Sequence, residues 1–160
     1  MDSIIQQAIR LRKQEKFSES RALLEPLLDN EHFAAQANLH IAWSFDNEGR
    51  ETDAVPHYKS ALLGALSKTE RFDTLFGLAC TYRSLGDYRQ ALEYFDQTIS
   101  EFPEAEEVRP FYAMCLYNLG RHKEAVSLLL DLLVATTNSD AIKEYQRAIL
   151  LYSKDLDRTW

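Results

Sequence analysis

The imidazoles and thiols of this 160-residue chain, the side chains that ligate transition metals through nitrogen or sulfur, are His32, His40, His57, His122, Cys80 and Cys115. A helical metal site brings its donors together by placing two of them three or four residues apart on one face. No two of the histidines have that spacing, and none neighbours a cysteine in a ligand motif. The thiols have no local base to activate them. They read as small apolar residues inside amphipathic helices of a protein kept in a reducing compartment. There is no glycine-rich phosphate loop and no nucleophile elbow. The expectation is a protein that is not an enzyme and carries no metal and no cofactor.

The remaining chemistry is that of charge and apolar surface. Glu101, Glu104, Glu106 and Glu107 form an acidic cluster, read first as a solvated turn near a helix N-terminus and second as a docking surface for a basic partner. Arg10, Arg12 and Lys13 form a basic group too small to argue for nucleic acid. The net charge of −7 also speaks against nucleic acid and anionic membranes as partners. Hydrophobic residues make up 46% and charged residues 27%, enough apolar material for a packed core. The longest apolar run, at 125–135, is interrupted by Asp131 and falls short of the roughly 20 residues of a membrane span. The first residues lack the apolar core of a signal peptide, so a cytoplasmic location is expected.

Whatever surface acts, helices must position it. Leu75, Leu78, Ala79 and Tyr82 make one apolar helical stripe, and Ala91, Leu92, Phe95 and Ile99 a second, with a Leu85-Gly86-Asp87 turn between them. This unit recurs. A small residue opens each second helix at Ser20, Ala54, Ala91 and Ala125, with spacings of 34, 37 and 34, and a large apolar residue follows at Leu24, Tyr58, Phe95 and Leu129. In the first helices Ala8, Ala42, Ala79 and Ala113 fall in one register, followed by Leu11, Phe45, Tyr82 and Leu116. Three of the four turns carry a glycine suited to a helix C-cap; the first has Glu15-Lys16-Phe17 instead. Helices are expected at about 2–14, 18–30, 34–48, 52–67, 70–85, 88–101, 105–119, 122–136 and 139–156, within 2–4 residues at each end. Ser18, Thr52 and either Ser139 or Asp140 are the expected N-caps, and Pro26 should kink or shorten the second helix. The last helix is expected to turn Ile142, Tyr145, Ile149, Tyr152 and Leu156 towards the repeat before it.

The unit resembles the tetratricopeptide repeat, whose pattern is W-x2-L-G-x2-Y, then A-x3-F, then P. Leu75, Leu78, Ala79, Tyr82, Ala91, Phe95 and Pro103 match it, with Leu75 in place of Trp and Ala79 in place of Gly. The chain is also similar to a group of small stand-alone bacterial proteins of this family. The resemblance implies an all-α fold: a right-handed α-α superhelix, or solenoid, of four helix pairs with a C-terminal capping helix. It would be a single domain over 1–160, with repeats at about 1–34, 35–71, 72–105 and 106–137 and the cap at about 139–156. It further implies that the first helices line a concave face. There the register places Ile5 and Ile9, Leu39 and Trp43, Phe76 and Cys80, and Met114 and Tyr117, beside Arg83 and Asn118. The lysines and asparagines with which some family members grip a C-terminal carboxylate are missing from these positions.

The expected function is a non-enzymatic protein- or peptide-binding module. Its partner-binding residues would be Leu39, Trp43, Phe76, Cys80, Arg83, Met114, Tyr117 and Asn118, and its partner an apolar or amphipathic segment. The alternative is a homodimer or larger homo-oligomer that buries the same surface against its own copy.

Overall fold

A computed structural model of the chain describes residues 2–159, the side chain of Asp2 excepted. Trp160, which the sequence offers as an anchor, lies outside the described residues. The described residues form α1 (Asp2–Lys13), α2 (Phe17–Leu24), a 3-10 turn (Glu25–Leu27), α3 (Ala34–Asn47), α4 (Glu51–Leu62), α5 (Lys68–Ser84), α6 (Tyr88–Glu101), α7 (Val108–Asn118), α8 (His122–Thr136), α9 (Asp140–Glu144) and α10 (Gln146–Ser153). The first eight helices are the four expected pairs.

The turns inside the pairs share one hydrogen bond. The amide three residues past the helix reaches back to the carbonyl of the large residue of the register: Lys16 to Leu11 (2.9 Å), Arg50 to Phe45 (2.9 Å), Asp87 to Tyr82 (3.0 Å) and Arg121 to Leu116 (2.9 Å). This closure requires a left-handed residue between them. Gly49, Gly86 and Gly120 supply it at φ of 77°, 79° and 77°, and in the first repeat Glu15 takes φ of 61° in spite of its side chain.

Several helix ends differ from expectation. Ser18 and Thr52 cap nothing; Lys16 and Arg50 hold the N-cap positions of α2 and α4 without a side-chain hydrogen bond. Pro26 ends α2 and leaves a single 3-10 turn, as a ring without an amide hydrogen should. The longer second repeat spacing becomes a turn over residues 63–67, not a longer α4. Ser67 and Glu70 close that turn with a reciprocal capping box, Ser67 Oγ accepting from the Glu70 amide at 3.2 Å and Glu70 Oε2 from the Ser67 amide at 2.9 Å.

By contacts the chain forms two compact units, Met1–Thr98 and Ile99–Trp160. In the first, α3 adjoins both α1 and α5 and is also packed against α2 and α4. The register alanines Ala8, Ala42, Ala54, Ala79 and Ala91 are all buried, which lets the helix backbones approach closely. Ser20, small like the others, is buried and donates to the Ala8 carbonyl at 2.8 Å. In the second unit α7 packs on α8, and α10 packs on the same α8.

The C-terminal helix is not continuous. Ser139 caps α9 through the Ile142 amide, as expected, but the helix breaks at Tyr145 (φ −99°, ψ 4°). The break turns the following face. Ser153 becomes the buried residue of α10, donating to Asp131 Oδ1 at 2.8 Å, while Tyr145, Tyr152 and Leu156 are exposed. Of the expected apolar stripe only Ile142 and Ile149 are half-buried, so it packs in part.

Candidate functional site

The first helices α1, α3 and α5 carry several half-buried groups, and Trp43 of α3 is one of them. His40, one turn before it on the same helix, meets its ring edge-on at 5.2 Å between centroids. Arg12 of α1 lies over the Trp43 ring, its Cζ 4.9 Å from the centroid, and its Nη1 donates to Asn47 Oδ1 at 3.2 Å. Phe76, on α5, is half-buried between Phe72 (5.7 Å) and Phe95 (6.4 Å). Cys80, one turn on, is a half-buried reduced thiol, and Arg83 is half-buried further along α5.

Three helices converge on one carboxylate. Tyr58 of α4 donates its hydroxyl to Asp46 Oδ2 at 2.5 Å, and Thr81 Oγ1 of α5 lies 2.8 Å from the same oxygen. Burial raises the Asp46 pKa above the usual carboxylate range, against the two hydrogen bonds that lower it. His40 is pushed down to about 4, first by burial and then by the Arg12 charge, with Glu70 opposing. At neutral pH the imidazole is therefore uncharged. Arg12 is itself lowered by burial.

The eight sequence-derived residues separate. Trp43 lies on α3 beside Arg12 of α1, and Phe76, Cys80 and Arg83 lie on α5, all four half-buried. Leu39 is not: it is fully buried, because α3 is covered by helices on both flanks and behind, so no partner can touch it. Ile5 is buried likewise, in the cluster of Ala8, Leu24, Leu27, Ala37 and Ile41, while Ile9 is half-buried and packs against that cluster. Met114 and Tyr117 belong to the second unit, where they are 44% and 63% exposed on α7, and Tyr117 sits 4.8 Å from His122. Asn118 beside them is half-buried. Arg12 and His40 are the residues beside Trp43 that sequence reasoning passed over. Arg12 stands four residues after Ala8 as Arg83 stands four after Ala79, so the register already pointed to it.

The second unit also holds a cleft of about 390 Å³ lined by Tyr112, Leu116, Ser127, Leu128, Asp131 and Lys154, among others. Two of its polar groups are engaged within the chain, Asp131 with Ser153 and Lys123 with Asp157. Among the described residues no group of three or more His, Cys, Asp or Glu is placed to hold a metal ion, and no helix is long and apolar enough to cross a membrane.

Solved structures place this architecture in a class. A crystal structure of a Podosopora anserina protein of kinesin light chain type, with nearly identical TPR-like repeats, superimposes with a TM-score of 0.70 at 17% identity, covering 99% of this chain and 97% of that one. A crystal structure of a substituted form of the same Podosopora anserina protein gives 0.71 at 17% identity, with 96% and 92% covered. At this identity the likeness is one of fold: helix pairs in tandem repeat. The tetratrico peptide repeat family model matches residues 35–156, and the chain belongs to that family. The family is generally a protein-interaction scaffold without catalysis. No curated protein matches the sequence.

Proposed function

We propose that the chain is a non-enzymatic peptide- or protein-binding module whose binding surface is the α1–α3–α5 face around Trp43 and Phe76. The observation that supports it is the half-burial of these two large aromatic rings on adjacent first helices. Side chains of this type, partly desolvated and rigidly held, give the most binding free energy at interface centres. A partner that offers an apolar or amphipathic segment fits such a face. In a pull-down, the Trp43→Glu, Phe76→Glu double variant should lose the partners that the wild type retains, while circular dichroism shows it still folded. An unchanged partner set on a folded double variant overturns the reading.

A second reading rests on the other unit. Val126, Leu129 and Leu133 of α8 and Leu150, Leu151 and Tyr152 of α10 are each between 37% and 50% exposed. A terminal helix pair in a repeat array ordinarily turns a polar face to water, and this apolar surface suits association with a second copy. Light scattering over a concentration series should then show a dimer mass, which Leu129→Lys with Leu151→Lys abolishes. A monomeric mass at high concentration excludes it.

A further inference from the structure

Arg12, Arg21 and Arg50 of the first unit lie over aromatic rings, and they differ in one respect. Arg21 sits 4.2 Å over Phe45 and pairs with Glu48 at 2.7 Å. Arg50 sits 4.8 Å over the same ring and pairs with Asp53 at 2.8 Å and with Glu48 at 3.6 Å. Arg12 sits 4.9 Å over Trp43, half-buried, and among the described residues no carboxylate lies within ion-pair distance of it. Its one hydrogen bond among them goes to the neutral amide oxygen of Asn47. A guanidinium has five N–H donors, so Arg12 can donate to a further group as well as to Asn47.

None of the acids of α3 and α5 forms an ion pair with Arg12 among the described residues. Asp46 Oδ2 is held by Tyr58 and Thr81, and Glu70 by Ser67 and Gln36. Asp73 forms no ion pair among the described residues. A partly desolvated cation without a counter-charge is a costly arrangement in the free protein, and an incoming anion relieves it. The ring beneath it sets the geometry: the anion must approach the edge of the guanidinium while an apolar group rests on exposed Trp43 carbon.

We infer that the Arg12–Trp43–Asn47 cluster reads an acidic side chain on the bound peptide, an Asp or Glu flanked by an apolar residue, with the carboxylate on Arg12 and the apolar side chain on Trp43. This rests on the binding function proposed above and gives the partner its chemistry. The arrangement uses an internal acidic residue; it needs no chain terminus.

A displayed library of random peptides, selected on the full chain, tests it. Peptides retained by the wild type should be enriched in Asp or Glu next to Trp, Phe, Leu or Ile, and an individual peptide should lose about tenfold in affinity on Arg12→Gln, the scale expected for one partly desolvated charge pair. Selection on Arg12→Glu should replace the acids by Lys or Arg. That exchange would not follow if Arg12 only braced the fold. Peptides that depend on Trp43 but show no acidic preference, or keep it on Arg12→Glu, overturn the inference and leave the binding function standing. A library that yields no Trp43-dependent peptide overturns both. Circular dichroism of Arg12→Gln and Arg12→Glu confirms that each is folded.

Discussion

Acidification from pH 7 to pH 5 should destabilise the fold by about 2 kcal/mol through His40 alone, from a pKa of about 4 in the fold against 6.5 for a free side chain. The imidazole is 7% exposed, and its Nδ1 is buried with no hydrogen-bond partner among the described residues. Protonation would add an N–H there and set a second cation near Arg12. In the unfolded chain the same histidine takes up its proton freely below pH 6.5. Between 6.5 and about 4 the unfolded state therefore binds more protons than the folded one, and stability falls as pH falls. His57, whose pKa burial also lowers, acts in the same direction. Asp46 and Asp73 have raised pKa values and act in the opposite direction, gaining protons in the folded state as pH falls. The measurement is thus a difference. Urea unfolding at both pH values should show wild type losing about 2 kcal/mol more than His40→Gln. Equal losses would mean that the folded protein holds a proton on His40 as readily as the unfolded one.

The repeat was legible because its determinants are local. Small residues at Ala8, Ala42 and Ala79 and left-handed glycines at the turns act within one hairpin, and their spacing survives in the linear sequence. Even the irregular first turn was visible as a missing glycine, although only the structure shows Glu15 taking the left-handed backbone itself. The candidate site was legible by half. Helical spacing says which side of α3 carries Leu39 and Trp43, but depth is set by what α1 and α5 lay across that side. Leu39 falls beneath them and Trp43 at their edge. The charge that distinguishes the face depends on a meeting between helices. Nothing in the run around Arg12 tells that it will stack on a tryptophan 31 residues away, and without an acid, unlike Arg21 and Arg50. The C-terminal stripe misled in part for a related reason: its period assumed an unbroken helix, and after the break at Tyr145 Ile149 stays half-buried while Tyr152 and Leu156 are exposed.

Replacing Gly77 by Ala should destabilise the protein by about 2 kcal/mol, although in a helix interior that change ordinarily stabilises by up to about 1 kcal/mol. Gly77 lies inside α5, and a Cβ built there stands 2.9 Å from Tyr58 Oη and 3.0 Å from its Cε1 and Cζ. The ring cannot retreat easily. Tyr58 is 1% exposed, and its hydroxyl is fixed on Asp46 Oδ2, with burial and that carboxylate holding its pKa far above the ordinary range so that it stays a donor. Thr81 Oγ1 lies 2.8 Å from both Asp46 Oδ2 and the Gly77 carbonyl, so a shift of α5 to make room would disturb the same junction. Two opposed contributions are present, and a double-mutant cycle separates them. In a Tyr58→Leu background the obstruction is gone, only the backbone preference remains, and Gly77→Ala should stabilise by up to about 1 kcal/mol. A reversal of sign between the two backgrounds, read from urea midpoints, identifies the glycine as the space in which the Tyr58 hydroxyl reaches Asp46. A cost of the same size in both would locate the strain in α5 itself.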